Sequence, residues 1–237
     1  MAVIDHAETA LARDRSVVWG YGDRLEVPSF GHIPLEIVLY APAKRRFDVA
    51  VSAAAIVLLS PIFLLCALAV RLTSSGPVLF RQTRVGQGGK LFTCFKFRSM
   101  HIDAEKRRAE LLHLNEMSGP VFKIKRDPRM TIVGKYLRKF SLDELPQLFN
   151  VLKGDMSVVG PRPPIPDEVM SYTNHQLKRL SVKPGLTCIW QVSGRSDIPF
   201  DRWVELDIAY IEIMSMKTDL NILLKTVPAV ITGRGAV

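Results

Sequence analysis

An apolar run from Val49 to Val70, VAVSAAAIVLLSPIFLLCALAV, limits what this chain of 237 residues can fold into. At about 22 residues it reaches roughly 33 Å as a straight helix, enough to cross the hydrocarbon core of a bilayer. It lies too far from Met1 to be a signal peptide. Ser60-Pro61 stands at its centre, where proline removes a backbone hydrogen bond and clashes with the preceding turn, so a break or sharp kink is expected. Lys44, Arg45 and Arg46 precede the run, and Arg71, Arg81 and Arg84 follow it. Both ends therefore favour the cytoplasmic side. A helix bent at Ser60 and Pro61 that dips into one leaflet and returns satisfies both flanks, whereas a straight span satisfies one. A kinked transmembrane helix and a buried helix of a soluble core are the alternatives.

The formal charge of +9 points to an anionic partner: nucleic acid, a phosphorylated ligand or an anionic membrane face. Composition does not choose among them. Cys66, Cys94 and Cys188 are widely spaced, without a C-x-x-C pair, and the five histidines show no ligand spacing. Neither a disulfide framework nor a structural zinc site is indicated.

Residues 1–43 carry Asp5, Glu8, Asp14, Asp23, Glu26 and Glu36 against Arg13, Arg15 and Arg24, and read as a poorly ordered acidic leader with a short strand at 35–40. The re-entrant helix is placed at 44–73 and a globular domain at 74–237. Alternation of apolar and polar residues over 76–100 around Gly86, Gly88 and Gly89 predicts a hairpin. Those glycines lie between strands and lack the G-x-x-x-x-G-K-[ST] pattern, so they make no phosphate loop. Residues 102–117 read as a charged surface helix, 183–195 as turn, short strand and loop, and 201–216 as a helix. That helix places Trp203, Leu206, Tyr210 and Ile213 or Met214 on one side. The segment 220–231 is too short to span a bilayer and, with Lys217 and Lys225, suits the membrane interface.

Chemistry concentrates in SLDELPQLFNVLKGDMSVVGPRP, Ser141 to Pro163. The pattern Ser141-Leu142-Asp143-Glu144 fits a capping box opening a helix over 142–152, with Leu145, Leu148, Phe149 and Leu152 as its apolar stripe. Capping accounts for Glu144 better than for Asp143, because neighbouring residues on a helix point in different directions. Around the acid pair gather Lys96, Arg98, Lys123, Lys125, Arg126, Arg129, Arg138, Lys139, Arg162 and Arg195. Arg162, in VVGPRPP, is presented from a stiff backbone and suits bidentate contact with phosphate. An aspartate carboxylate can attack phosphorus once cations, commonly Mg²⁺ with arginines, neutralise the approaching charges.

Six segments in order, KRRFDVAVSAAAIVLLSPIFLL, GPVLFRQTRVG, FKFRSM, LRKFSLDELPQLFNVLKGDMSVVGPRP, KPGLT and WQVSGR, together resemble the bacterial sugar transferase family, the monotopic phosphoglycosyl transferases. The likeness covers roughly residues 44–235. It implies an α+β fold with a membrane-embedded helix-break-helix hairpin at Ser60 and Pro61, interfacial amphipathic helices and a small catalytic domain on the cytoplasmic face of the bacterial inner membrane. It further implies an undecaprenyl-phosphate sugar phosphotransferase that starts exopolysaccharide synthesis. In that scheme Asp143 attacks the β-phosphate of a UDP-sugar, UMP leaves, and undecaprenyl phosphate takes the phosphosugar from the carboxylate. The resemblance assigns Asp143 and Glu144 to catalysis and Mg²⁺ binding, and Lys96, Arg98, Arg138, Arg162 and Arg195 to the phosphates. UDP-galactose or UDP-glucose as donor, anionic membrane lipids as surroundings and no nucleic acid are also implied. A membrane-bound phosphohydrolase and a non-enzymatic basic scaffold are the rival readings. Cys188 departs from the family, which commonly has glycine after KPGLT; if that position needs positive φ, Cys188 is strained.

Overall fold

The computed structural model describes residues 19–28, 35–195, 198–233 and 235. Its apolar run forms two helices, α1 (Leu35–Leu58) and α2 (Ser60–Thr73), bent by 63° at Leu59. Pro61 lies in the first turn of α2, where its missing N–H would have had no partner anyway. The Ser60 hydroxyl donates to the Val57 carbonyl at 2.8 Å, closing the end of α1. Among the described residues no single helix is long and apolar enough to cross a membrane, but the bent pair passes that test together. Val57, Leu58, Leu64, Leu65, Leu68 and Leu72 are exposed, while Cys66 and Val70 pack against Phe97 and Leu137.

The first helix starts at Leu35, so the strand expected over 35–40 is helical instead and the expected boundary at residue 43 falls inside α1. Tertiary contacts explain this. Tyr40 and Lys44, one turn apart on α1, both donate to Asp219 Oδ2, the tyrosine at 2.8 Å. Lys44 is thus a buried ion-pair partner and not a cation facing lipid headgroups. Arg45 donates to the carbonyls of Val151 and Leu152 at 2.6 and 2.7 Å, leaving Arg46 as the exposed charge of that trio. Residues 1–18 and 29–34 of the expected acidic leader lie outside the described residues. Its described part contains a small hairpin of β1 (Trp19–Tyr21) and β2 (Arg24–Glu26).

The hairpin expected over 76–100 is present as β3 (Leu79–Val85) and β4 (Leu91–Phe97), antiparallel with Leu79 opposite Phe97 and Val85 opposite Leu91. Its turn uses Gly88 and Gly89 at positive φ. By contrast, residues 102–117 hold only 3₁₀ turns over Lys106–Leu114. No residue of those turns is buried, so tertiary packing, which supplies most helix stability in proteins, is missing there.

Helix α3 (Ile132–Lys139) is capped by the Thr131 hydroxyl, which accepts from the Gly134 N–H at 2.9 Å. The predicted helix over 142–152 is divided. A 3₁₀ turn over Leu142–Glu144 precedes Pro146, and α4 (Gln147–Lys153) follows. Ser141 makes no capping hydrogen bond, because its left-handed backbone (φ 53°) does not provide the extended N-cap geometry the box requires. Beyond Gly154 come β5 (Ser157–Val159), the one-turn helices α5 (Pro166–Val169) and α6 (Asn174–Leu177), β6 (Gly185–Thr187), parallel to β5, and a short helix α7 (Ile189–Ser193). The expected loop after β6 is therefore partly helical. Cys188 has φ −152°, an extended backbone any residue adopts, so the strain expected of it is absent. Helix α8 (Phe200–Glu212) buries Trp203 and Tyr210, and Met214 rather than Ile213 packs inward beyond its end. The last helix, α9 (Met216–Thr232), buries Ile222 and exposes Leu224, Val227 and Ile231.

Candidate active site

Alternation along the β3–β4 hairpin sets the first wall of the site. Directly opposed residues share a face, so the pairs Phe80–Lys96, Gln82–Cys94 and Arg84–Phe92 put Gln82, Arg84 and Lys96 on the same side. Asn150, fully buried on α4, fastens that helix to β4: its Oδ1 accepts from the Phe95 N–H at 3.0 Å and its Nδ2 donates to the Thr93 carbonyl at 2.7 Å. Docked this way, the 3₁₀ turn before α4 brings Glu144 to Lys96, with Nζ 2.5 Å from Oε1.

A close backbone approach places the next cation. A Cβ on Gly134 would stand 1.8 Å from the Ser99 carbonyl oxygen, so only glycine lets α3 rest on the segment that follows β4. At the far end of α3, Arg138 Nε donates to Ser99 Oγ at 2.9 Å. Arg98 lines the same cavity as Lys96 and Arg138, and its guanidinium also holds backbone. It donates to the carbonyls of Ser74 and Ser75 and to Ser74 Oγ, closing the C-terminus of α2, where helix carbonyls lack internal partners.

Asp143, Glu144, Lys96, Arg138, Arg162 and Arg195 line one cavity of about 1450 Å³. Leu59 and Ile62 at the helix bend, and Val230 and Ile231 of α9, line it as well. One cavity thus joins a charged dyad to the apolar bend. Ser141 and Arg195, both on this cavity, are the non-glycine residues with positive φ among those described. Such backbone is costly and persists where surrounding structure enforces it, commonly at functional sites.

The two acids differ in their proton affinity. Burial, with the Glu144 charge adding to it, pushes Asp143 above the ordinary carboxylate range despite Lys96 and Arg138. Glu144 meets the same burial, yet the charge and hydrogen bond of Lys96, followed by Arg162 and Arg84, hold it below its usual value. Glu144 is accordingly the better-stabilised anion of the pair, and Asp143 the acid that holds its proton more tightly. Arg84, Gln82, Asn150 and Glu168 also shape the site and were not singled out from the sequence as site residues. For Gln82 and Arg84 a signal existed, since period-two alternation places both on the face of Lys96.

Comparison with known proteins extends this picture. The model of a family described as bacterial sugar transferase matches residues 39–233. Galactosyl transferase CpsE of Streptococcus agalactiae is 52% identical over 162 residues, 68% of this chain and 36% of that protein. Exopolysaccharide production protein ExoY of Rhizobium meliloti is 42% identical over 198 residues, covering 82% of this chain and 88% of ExoY. The undecaprenyl-phosphate galactose phosphotransferase of Salmonella typhimurium is 44% identical over 197 residues, 81% of this chain and 41% of the relative. The chain thus spans well under half of two of these relatives and nearly all of ExoY.

Proposed function

The chain belongs to the bacterial sugar transferase family, and we propose that it moves hexose 1-phosphate from a UDP-sugar to undecaprenyl phosphate through a phosphosugar ester on Asp143. The observation that carries this reading is the buried Asp143 carboxylate, raised in pKa, beside Lys96 and Arg138 in a cavity that also reaches the apolar helix bend. A carboxylate oxygen of Asp143 forms a bond to the β-phosphorus as the bond to the UMP oxygen breaks, and UMP leaves with that electron pair. An oxygen of undecaprenyl phosphate then attacks the same phosphorus, releases Asp143 and yields the lipid diphosphate sugar. Lys96, Arg138, Arg162 and Arg195 bind the phosphates and offset their charge. UDP-galactose is the first donor to test, UDP-glucose the second.

Among the described residues no three acids, histidines or cysteines cluster as a complete metal site. Asp143 and Glu144 nevertheless fit Mg²⁺, which takes one or two carboxylates and completes its shell with water and substrate phosphates. When bound there it supplies charge neutralisation at the diphosphate.

The reading is tested by mixing purified protein with UDP-galactose and Mg²⁺ without acceptor. UMP should appear in a burst of about one equivalent per enzyme and turn over only when undecaprenyl phosphate is added. Steady release of free sugar phosphate without acceptor would instead mark a phosphohydrolase.

We further place the α1–α2 bend as a re-entrant element in the cytoplasmic leaflet of the inner membrane. The exposed apolar residues of α2 and α9 support this, as do the exposed cations Arg46, Arg71, Lys217 and Lys225, which suit anionic headgroups. Pro61→Ala should straighten the pair toward a span and change which side of the membrane labels a cysteine placed near residue 43. Labelling identical to the parent would show that proline does not set the topology.

A further inference from the structure

The loop that carries Arg162 is held at four consecutive carbonyls. That of Pro161 accepts from the Gly185 N–H at 2.8 Å, Arg162 from Arg179 Nη2 at 3.5 Å, Pro163 from Arg84 Nη1 at 2.8 Å, and Pro164 from the Val85 N–H at 2.9 Å. Of these donors only Arg84 is a charged side chain lining the cavity of Asp143. It is an expensive choice. Arg84 is buried, its Nη2 donates to Gln82 Oε1 at 2.5 Å, and its Nε has no partner. Among the described residues no carboxylate lies within ion-pair distance of it, whereas Arg162 bears on it as a like charge. Burial and that repulsion push its pKa down to about 10, offset only in part by Glu168 and Glu144. A buried guanidinium with a like charge bearing on it is relieved when an anion arrives.

We propose that Arg84 is a positioning residue: by holding the Pro163 carbonyl it fixes the direction of the neighbouring Arg162, so that the Arg162 guanidinium meets the donor's diphosphate. This rests on the phosphoglycosyl transfer reading. Gln82 in turn orients Arg84, forming a relay from β3 to the Arg162 loop.

The test is a double-mutant cycle on the full chain, following kcat/KM for UMP release and, separately, UDP binding by calorimetry. Arg84→Met should lower kcat/KM ~10-fold or more and weaken UDP binding in the parent, yet change either by less than ~3-fold once Arg162→Met is present. Arg84→Lys, which keeps the charge but not the two-pronged grip, should resemble Arg84→Met. If Arg84→Met does not fold, Gln82→Leu takes its place in the cycle, with a smaller loss that also vanishes in the Arg162→Met background. Independent losses that multiply, or an Arg84 or Gln82 variant indistinguishable from the parent, would overturn the proposal. Failure of the parent to release UMP would count against the transfer reading, while the UDP-binding cycle would still decide the role of Arg84.

Discussion

Asp143→Asn is expected to abolish UMP release, by at least ~10³-fold, and at the same time to make the protein harder to unfold at neutral pH. The first effect follows because the proposed mechanism loses the oxygen that bonds to phosphorus. The second follows from the raised pKa of Asp143, whose leading cause is burial. The folded chain holds that proton more tightly than the unfolded chain. Stability therefore falls as pH rises from the ordinary carboxylate pKa through the higher folded value. Asparagine resembles the neutral acid in shape and is free of this cost. Thermal unfolding of both proteins in the same detergent should show the variant melting a few degrees higher at about pH 7.5 and the difference shrinking at about pH 4. A variant melting no higher than the parent at neutral pH would mean that Lys96 and Arg138 already compensate the buried charge. Greater stability combined with lost activity is the signature of an acid kept for chemistry at the expense of the fold.

Features that the chain writes locally were legible in its sequence. Pro61 in an apolar run dictates a bend, alternation around Gly86 to Gly89 dictates a hairpin, and the spacing of Trp203 and Tyr210 dictates the buried face of α8. Features decided across the chain were not. Lys44 looks like a membrane-flanking cation until α9 delivers Asp219, 175 residues away, as its partner. A motif groups Arg98 with Lys96 and both line the cavity, but nothing local shows that the Arg98 guanidinium also holds the open end of α2. Ser141 offered the correct letter for an N-cap and the wrong backbone, since a left-handed residue cannot direct its hydroxyl at the turn that follows. The acid pair itself was legible as a candidate because the capping explanation fitted Asp143 poorly. What separates the two acids, the ion pair of Glu144 with Lys96, depends on Asn150 docking α4 against β4. No local pattern records that.

Gly185→Ala should be the most damaging substitution outside the dyad, because two backbones touch where β5 and β6 run side by side. A Cβ at Gly185 would lie 2.0 Å from the Gly160 nitrogen and 2.6 Å from both its Cα and its oxygen. Gly160 is equally confined, since its own Cβ would stand 2.6 Å from the Lys183 carbonyl oxygen. No side-chain rotation relieves an overlap between main chains, so the strands must separate. Their separation breaks the hydrogen bonds from the Gly160 N–H to the Thr187 carbonyl at 3.0 Å and from the Gly185 N–H to the Pro161 carbonyl at 2.8 Å. Those bonds hold the loop bearing Arg162, so stability and the proposed phosphate contact should fail together. A loss of about 4 kcal/mol or more places the change among the exceptional single substitutions. Gly88→Ala is the matched control. Gly88 has positive φ, at 63°, as Gly160 and Gly185 do not, but a Cβ there meets nothing within 4 Å, so its cost is confined to about 1 kcal/mol of backbone preference. The comparison is read from the yield of folded protein and from Tm. If Gly185→Ala lowers Tm no more than Gly88→Ala does, the strands part easily, and a rigid crossing cannot be what aims Arg162.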